Sequence, residues 1–423
     1  MESYNFVESY YKPSFFWIEL ATSYELKDIW GKEIEHTFFH EYMHYLEDIT
    51  TTFGYIYYIH KLSLIKAMYH KIKMQLANNN TKLTIPINFS DDSYRDTNIS
   101  LFKHYLKYEN KLIVNSFKIN NVIEVIEVIE KMKIKTYKIN YNNQESIFFG
   151  AHAIMESICH ILEKYLYEIN SKEIILPYDL SEYVAKFYSE IFINHIDYVL
   201  DLCEYSLMFY NPAEAFINIL NALKNEKSYK PIDIDDFRRY LFKTIKPNKK
   251  YTITSLLREN RIRLLNEISG VFTSDLYEYF RQWLITTIDK GYNYKNENIF
   301  VFSKIINYKP KQFFNETIPI LGMPLIFNQE GQFYVTDVNN MHVDSAYLAR
   351  SLSEVYDTII NGNRKCHLKE SCMFANSIKD TQINVTDYCD YAPWKNFSSD
   401  QNIEICGYCQ VWRTLGLSKI EIL

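Results

Sequence analysis

The chain has no excess of positive charge and no long uninterrupted apolar run, and each absence excludes a class of partner. Its 423 residues include 46 Lys and Arg against 52 Asp and Glu, which gives a net charge of −6. A nucleic-acid-binding surface needs a basic patch or stripe, so we expect no nucleic-acid partner. A membrane-spanning helix needs about 20 consecutive apolar residues. The most apolar stretch, residues 187–210, is interrupted by four acidic residues and a histidine, so we expect no membrane contact.

The beginning of the sequence also lacks the features of an export signal. Glu2 stands where a signal peptide carries basic residues, and no long apolar run follows. We therefore expect a cytoplasmic protein. Glycine and proline are scarce, at ten each, beside many Ile, Asn, Lys and Tyr residues, and we attribute this to nucleotide-composition bias. The 47% of apolar residues can fill real cores, and the length allows two or three domains.

An HExxH pattern, from His40 through Glu41 to His44, is the most informative feature that is present. Residues 33–52 contain no Gly or Pro, and apolar residues recur there at three- or four-residue steps, which predicts a helix. On a helix, side chains four positions apart share a face, so both imidazoles can approach one metal ion. Glu41 lies beside them, close enough to hold a water. The alternative is that both histidines are hydrogen-bonded core residues and that Glu41 is solvated.

A catalytic zinc normally has three protein ligands and one open position, so a third ligand is needed. Residues 150–163 form a second predicted helix, on which His152, Glu156, His160 and Glu163 share one stripe. Small residues beside this stripe would let the helix approach the first one closely. Two apolar helices seldom bury polar ridges without a common partner, and a metal ion is the simplest one. We predict Glu156 as the third ligand, with His152, His160 or a later acidic residue as alternatives.

Two acidic residues closer to the motif, Glu47 and Asp48, are rival third ligands. They follow His44 by three and four residues on about the same helical face. Ligands from successive turns of one straight helix all approach the ion from one side, which leaves poor tetrahedral closure. We expect Glu47 or Asp48 to accept the second ring N–H of a ligating histidine instead.

The pattern of His40 and His44 with a glutamate on a later helix resembles the gluzincin branch of the zincin metallopeptidases. The resemblance covers about thirty residues in two segments. It implies a zinc ion bound by His40, His44 and Glu156, with Glu41 as general base and proton shuttle in peptide-bond hydrolysis. The chain departs from the family in two ways. Glu156 follows His44 by 112 residues, a long gap, and His160 stands where the family's Glu-x-x-x-Asp form has Asp.

The predicted chemistry is hydrolysis by a water that zinc activates. Zinc lowers the pKa of the water toward neutrality, and Glu41 would take its proton and pass it to the leaving amine. A further donor should stabilise the oxyanion. His152, His160 or one of the 37 tyrosines could provide it, and the sequence does not single out one tyrosine.

Five of the seven cysteines lie between residues 366 and 409. Cysteines in a reducing compartment seldom form disulfides, so their density predicts metal binding. We predict a structural zinc bound by Cys366, Cys372, Cys406 and Cys409, with Cys389 as a substitute for any of them. Cys406 and Cys409 have the spacing of a zinc knuckle. Free thiols, or a redox switch at that pair, are the alternatives, and Cys159 and Cys203 are predicted core residues.

The predicted fold is mainly α with small β elements. A zincin-like catalytic region covers residues 1–170, a helical region 171–300, and a mixed α/β region 301–423 with the cysteine-rich zinc module at about 361–423. Residues 121–133 repeat Val-Ile-Glu, which we interpret as a solvated helix face with an acidic ridge. Strands are predicted at 299–306, 318–327 and 332–338, followed by a helix at 344–360.

The leading hypothesis is a cytoplasmic zinc metallopeptidase that acts on a protein or peptide substrate. A protease in the cytoplasm needs restraint, so we expect narrow specificity or an activating protein partner. One alternative is a zinc-stabilised binding or scaffold protein without catalysis. Another is a metal-dependent hydrolase of a non-peptide amide, which would use the same zinc and general base.

Overall fold

The structure is a computed structural model that describes residues 9–13, 15–77, 82–87, 97–129, 131–142, 145–169, 172–226, 229–246, 251–334, 343–378, 383–396 and 405–423. Its described part is mainly helical, with small separate sheets, as predicted. The helices are α1 Glu33–Thr50, α2 Thr52–Ala77, α3 Thr97–Leu106, α4 Ala151–Leu166, α5 Leu180–Tyr188, α6 Ile196–Ser206, α7 Pro212–Asn225, α8 Ile234–Thr244, α9 Ile253–Val271, α10 Glu278–Glu297, α11 Phe302–Ile305, α12 Pro310–Leu321, α13 Val343–Asn361, α14 Lys369–Ile378 and α15 Gly407–Thr414.

The strands form four sheets of two to four strands each. They are β1 Tyr10–Lys12, β2 Trp17–Leu20, β3 Lys82–Leu83, β4 Leu112–Val114, β5 Ile119–Ile129, β6 Met132–Tyr141, β7 Glu145–Phe149, β8 Ile174–Leu176, β9 Leu325–Asn328, β10 Phe333–Tyr334 and β11 Glu421–Ile422. The largest sheet has the order β1-β2-β9-β10, with β2 and β9 parallel and the outer pairs antiparallel. Two segments about 300 residues apart in sequence therefore share a sheet, and β1 and β10 are its outer strands.

Helix α1 carries the HExxH pattern and is anchored in the core by aromatic residues. Phe38, Tyr42 and Tyr45 are fully buried on it. The Tyr42 and Tyr45 hydroxyls donate hydrogen bonds to the carbonyls of Gly322 and Leu321, at the end of α12. These contacts fix the rotation of α1 and turn the opposite face, with His40 and His44, toward α4. The predicted helix is confirmed.

Helix α4 lies against α1 at the end of the β5-β6-β7 sheet. Gly150 precedes it, and a side chain there would meet the Leu106 carbonyl oxygen, since a Cβ would lie only 2.5 Å away. Small residues of α4 also lie against α5. The Ser157 hydroxyl accepts a hydrogen bond from the Ser181 backbone N–H, and the Ser181 hydroxyl donates to the Ala153 carbonyl. The small residues thus allow close packing of α4 on α5.

The predicted helix over the Val-Ile-Glu repeat is wrong, because residues 119–129 form strand β5. Strand β5 pairs with β6 along its whole length in an antiparallel hairpin. The last eight of its 11 residues, 122–129, are three valines, three isoleucines and two glutamates. The β-branched Val and Ile favour strands. The glutamates find partners across the strands, such as Glu124 with Lys135.

The C-terminal third is more helical than predicted. The predicted strand at 299–306 contains α11, and the predicted strand at 318–327 covers the last four residues of α12 before it reaches β9. Strand β10 and helix α13 lie where a strand and a helix were expected. The predicted domain boundaries at 170 and 300 stay predictions. Across the described residues, no helix is long and apolar enough to cross a membrane.

A buried ionic network joins α13 to the β1-β2 edge of the large sheet. The Arg350 guanidinium on α13 pairs with Glu19 on β2 and, at 3.1 Å, with Glu354 on its own helix. Arg350 lowers the pKa of Glu354 to about 2 against the effect of burial, with help from His367. At the sheet edge, Lys12 on β1 forms a 2.6 Å ion pair with Asp357. Helix α13 is thereby fixed to the strands beside the HExxH helix.

Candidate metal centre

Helices α1 and α4 bring three predicted ligands together. His40 Nε2 lies 3.2 Å from one carboxylate oxygen of Glu156, and His44 Nε2 lies 3.5 Å from the other. The three side chains are 12–13% exposed. Both imidazoles therefore direct Nε2 at the carboxylate of Glu156, which follows His44 by 112 residues in the sequence.

The opposite ring nitrogens of the two histidines each meet another carboxylate. His44 Nδ1 lies 2.8 Å from Glu47, the outer partner that the sequence predicted. His40 Nδ1 lies 3.3 Å from Glu163, which also contacts Nδ1 of His36 at 2.7 Å. A carboxylate at Nδ1 keeps the proton there and leaves Nε2 as the electron-pair donor. The sequence placed Glu163 on the polar stripe of residues 150–163 but indicated no role for it. Nothing in the sequence indicated that His36 would contact Glu163.

Charge at this centre favours a cation. Burial alone would lower the pKa of His40, but hydrogen bonds with Glu156 and Glu163 outweigh it and raise the pKa to about 10. Burial would raise the pKa of Glu156, but His44, His152 and His40 hold it well below its ordinary value. Protons on the imidazoles thus offset the carboxylates. A bound cation would replace those protons and leave the imidazoles neutral.

Glu41 lies at the floor of the same cleft, beside β1. Burial raises the pKa of its carboxyl group, and His40 and His44 oppose that rise. Glu41 also accepts a hydrogen bond from the backbone N–H of Tyr11, while the Tyr11 hydroxyl donates to Asp48 at 2.9 Å. A carboxyl group with a raised pKa next to a cation site suits a general base, because it accepts a proton more readily than an ordinary carboxylate. Asp48 thus positions β1 and does not approach the ligand nitrogens.

Cys159 is a further potential ligand that the sequence suggested only as a core residue. Among the described residues, one group of three potential ligand atoms lies mutually within 4.8 Å, and its members are His40, His44 and Cys159. The Cys159 sulfur, however, lies 3.4 Å from His44 Nδ1 and 3.8 Å from Glu47. The sulfur thus lies on the side of the His44 ring that faces Glu47, away from His44 Nε2. We therefore favour Glu156 over Cys159 as third ligand, since Glu156 meets Nε2 of both histidines.

His152 and two tyrosines surround the open side of the centre. His152 Nε2 lies 3.3 Å from Glu156, and its ring packs on Tyr108 with centroids 4.4 Å apart. The Tyr178 ring lies 5.7 Å from that of His40. His152, Tyr108 and Tyr178 all line the cleft and are candidate oxyanion donors. His160 is not among the lining residues, because it is buried behind Tyr178 near Asp179, at 3.5 Å.

The cleft is open and has two adjoining parts. The part over His40, Glu41 and His44 has a volume of about 360 Å³, and a neighbouring part of about 480 Å³ extends toward Lys111. Both are lined by Tyr108, His152, Glu156 and Tyr178, which therefore form the wall between them. Clefts of this size accommodate small molecules or several residues of a peptide.

The tail cysteines are all buried, but they do not all face one point. Cys366, Cys372, Cys389 and Cys406 line one small cavity. The Cys409 sulfur does not line this cavity; it contacts the Cys406 sulfur and donates to the carbonyls of Asn396, at 3.4 Å, and Pro393, at 3.6 Å. The predicted set with Cys409 thus differs from the set that lines the cavity, which contains Cys389.

Comparisons of the chain with known protein families, curated proteins and solved structures found no match.

Proposed function

We propose that this protein is a zincin-like zinc metallopeptidase of the gluzincin type. One observation carries the proposal: His40, His44 and Glu156 converge at the floor of an open cleft that also contains Glu41. Two imidazole nitrogens and one carboxylate form a common ligand set of catalytic zinc sites. The donor set fits zinc, since each imidazole has a carboxylate at its outer nitrogen and the cleft leaves room for a water.

The chain's own residues would perform the proton transfers. Zinc, when bound by His40, His44 and Glu156, lowers the pKa of a water toward neutrality and polarises the scissile carbonyl. Glu41 takes the proton from the attacking water and delivers it to the leaving amine. The raised pKa of Glu41 favours the first transfer, because it makes the carboxylate a stronger base. Tyr178, Tyr108 or His152 donates a hydrogen bond to the oxyanion.

The surroundings of the cleft fit an extended peptide. Strand β1 is the outer strand of the described sheet, and Tyr10 and Tyr11 line the cleft. An extended peptide can add to such a strand through backbone hydrogen bonds, and pockets along the cleft then select side chains. Lys111 in the adjoining part would favour an acidic group of the substrate. We retain narrow specificity or activation by a protein partner as part of the proposal.

The cysteines support action in a reducing compartment such as the cytoplasm. All seven are free, including the five in the tail. Five closely spaced thiols in an oxidising compartment would be expected to form disulfides.

The test compares Glu41→Gln with Glu33→Gln, an exposed glutamate at the start of the same helix. The full chain is incubated with a library of peptides and with a set of acyl amides, and products are identified by mass spectrometry. We expect Glu41→Gln to retain zinc and to lose at least about 100-fold in cleavage rate, the usual contribution of a general base. Glu33→Gln should behave as wild type. Equal rates for wild type and Glu41→Gln, or cleavage of acyl amides alone, would contradict the proposed peptidase.

A further inference from the structure

The cysteine-rich tail contains little regular structure around its buried thiols. Cys372 is on α14, and Cys406 immediately precedes α15. Cys366 lies just before α14, and Cys389 lies in a short 3₁₀ turn, Asp387–Asp390. The Cys366 backbone N–H donates a 2.7 Å hydrogen bond to the Cys389 carbonyl. Three chain segments thus contribute the four thiols that line one cavity. A small region built from short elements commonly needs a cross-link or a metal ion to hold its segments together.

The thiols of Cys366, Cys372, Cys389 and Cys406 surround a cavity with room for a single water-sized sphere, about 10 Å³. Each of these residues is 4–8% exposed. A cavity of this size is large enough for one small ion or water. The arrangement also excludes a bulky ligand, since nothing larger would fit among the four sulfurs.

Hydrogen-bond donors point at these sulfurs. The Cys406 sulfur accepts from the Cys409 thiol and from the backbone N–H groups of Cys409 and Tyr408, which lie in the first turn of α15. The Cys366 sulfur accepts from the Leu368 backbone N–H, and the Cys389 sulfur accepts from the Asn396 side-chain amide at 3.5 Å. N–H donors of this kind favour a thiolate over a thiol, because the negative sulfur is the better acceptor.

The four sulfurs are close enough to repel one another as thiolates. Burial raises the pKa of Cys366 and, to about 12, that of Cys372, and the neighbouring sulfurs raise both further. Mutual repulsion of this kind disappears when the thiolates share a divalent ion. The Lys369 side chain also lines the cavity and can offset part of the remaining negative charge.

We propose that Cys366, Cys372, Cys389 and Cys406 bind one structural Zn²⁺, with Cys409 as a neighbouring donor and not a ligand. Binding replaces four S–H bonds by four Zn–S bonds and releases four protons to solvent. A Zn–S length of about 2.3 Å in a tetrahedron sets the sulfurs about 3.8 Å apart. The tail sulfurs are not grouped as tightly as the 4.8 Å group of His40, His44 and Cys159, so binding must draw them inward. Rotation of the cysteine side chains can supply that movement.

The glycine after Cys406 supports a fixed geometry at this site. A side chain on Gly407 would place its Cβ 2.3 Å from the Ser351 hydroxyl and 2.6 Å from the Tyr347 ring. Glycine therefore lets α15 begin directly against α13. The Tyr347 hydroxyl in turn contacts the Cys372 sulfur at 2.9 Å. The close approach of α15 to α13 therefore brings Cys406 near Cys372.

The experiment counts zinc in the full chain after the catalytic ligands have been removed. In the double variant His40→Ala/His44→Ala, purified under reducing conditions, any tightly bound zinc belongs to the tail, so failure of the proposed peptidase leaves this result unaffected. We expect one zinc per chain. On this background Cys389→Ala should reduce zinc to zero, and Cys409→Ala should keep it at one. No zinc in the double variant would overturn the proposal, and so would loss of zinc in Cys409→Ala but not in Cys389→Ala.

A second measurement keeps the proposal testable if the cysteine variants do not fold. Cobalt is added to the folded double variant after zinc has been removed by a chelator. Four thiolates around cobalt give intense visible bands of tetrahedral cobalt and a sulfur-to-metal charge-transfer band in the near ultraviolet. These bands should saturate at one cobalt per chain and disappear on addition of one zinc. Their absence from a folded chain would overturn the site.

Discussion

Gly291 provides a direct test of how the HExxH helix is positioned. It lies on α10, where that helix crosses α1 just after the metal ligands. A Cβ at this position would lie 2.1 Å from the Ile49 carbonyl oxygen and 2.8 Å from its carbonyl carbon. Both atoms are backbone, so no side-chain rotation can relieve the overlap. Gly291→Ala must therefore push α10 and α1 apart.

The size of the effect follows from this distance. Ordinary contact begins at 3.4 Å, so the helices must separate by about 1.3 Å at this point. Overpacking of this kind costs about 3 kcal/mol, and the better helix propensity of alanine returns about 1 kcal/mol. We expect the free energy of unfolding to fall by about 2 kcal/mol. Displacement of His40 and His44 by about 1 Å should lower the cleavage rate by about 100-fold.

Gly270→Ala is the matched control. Gly270 is exposed on α9, and a Cβ there would meet only the Lys66 Nζ, the mobile end of a side chain, at 3.4 Å. The free energy of unfolding of this variant should rise by up to about 1 kcal/mol, because alanine replaces glycine inside a helix without a steric clash. Denaturant unfolding of the zinc-loaded chain measures both variants, and a peptide-cleavage assay measures the rates. If Gly291→Ala were as stable and as active as Gly270→Ala, the described packing of α10 on α1 would be refuted.

Three further predictions concern the metal centre and the core. Glu156→Ala should weaken zinc binding at least about 100-fold, and Cys159→Ala should leave zinc affinity within threefold of wild type. Competition with a zinc chelator measures both affinities. The reverse order of effects would identify Cys159 as the third ligand. Lys295→Met should destabilise the chain by about 3–5 kcal/mol, because it leaves the buried Glu204 carboxylate unpaired, whereas Met in place of the exposed Lys243 should cost little in the same denaturant titration. Removal of zinc by a chelator should lower the midpoint temperature of thermal unfolding by about 5 °C. This value is the lost binding free energy, about 4 kcal/mol, divided by an unfolding entropy of about 2.1 cal/mol/K per residue. An unchanged midpoint would mean that no stabilising metal had been bound.

The sequence predicted the local parts of the site because they follow from periodicity within one helix. The apolar spacing around His40 indicated α1, and the polar stripe on residues 150–163 indicated where Glu156 lies. Contacts between distant segments were not predictable in this way. The hydrogen bond from Tyr11 to Glu41 depends on how β1 crosses α1, and the pairing of His36 with Glu163 depends on the exact rotation of two helices. Neither leaves a spacing pattern in the sequence.

The errors of the sequence analysis also have physical causes. The Val-Ile-Glu repeat has a period of three, which lies closer to the period of a helix than to that of a strand, and this favoured the wrong interpretation. Pairing with β6 and the preference of Val and Ile for extended backbone decided the outcome. In the tail, the spacing of Cys406 and Cys409 suggested that both face one ion. The beginning of α15 at Gly407 instead turns Cys409 toward the carbonyls of Pro393 and Asn396.

The ion pairs between α13 and the N-terminal strands bear on how far this protein can be shortened. A chain cut before α13 would leave Glu19 buried without Arg350, and Lys12 without Asp357. An uncompensated internal charge costs several kcal/mol, a large share of the stability of an ordinary protein. An N-terminal fragment that retains every proposed catalytic group should therefore be insoluble or inactive, and limited digestion that removes α13 should switch the protein off instead of releasing a working enzyme.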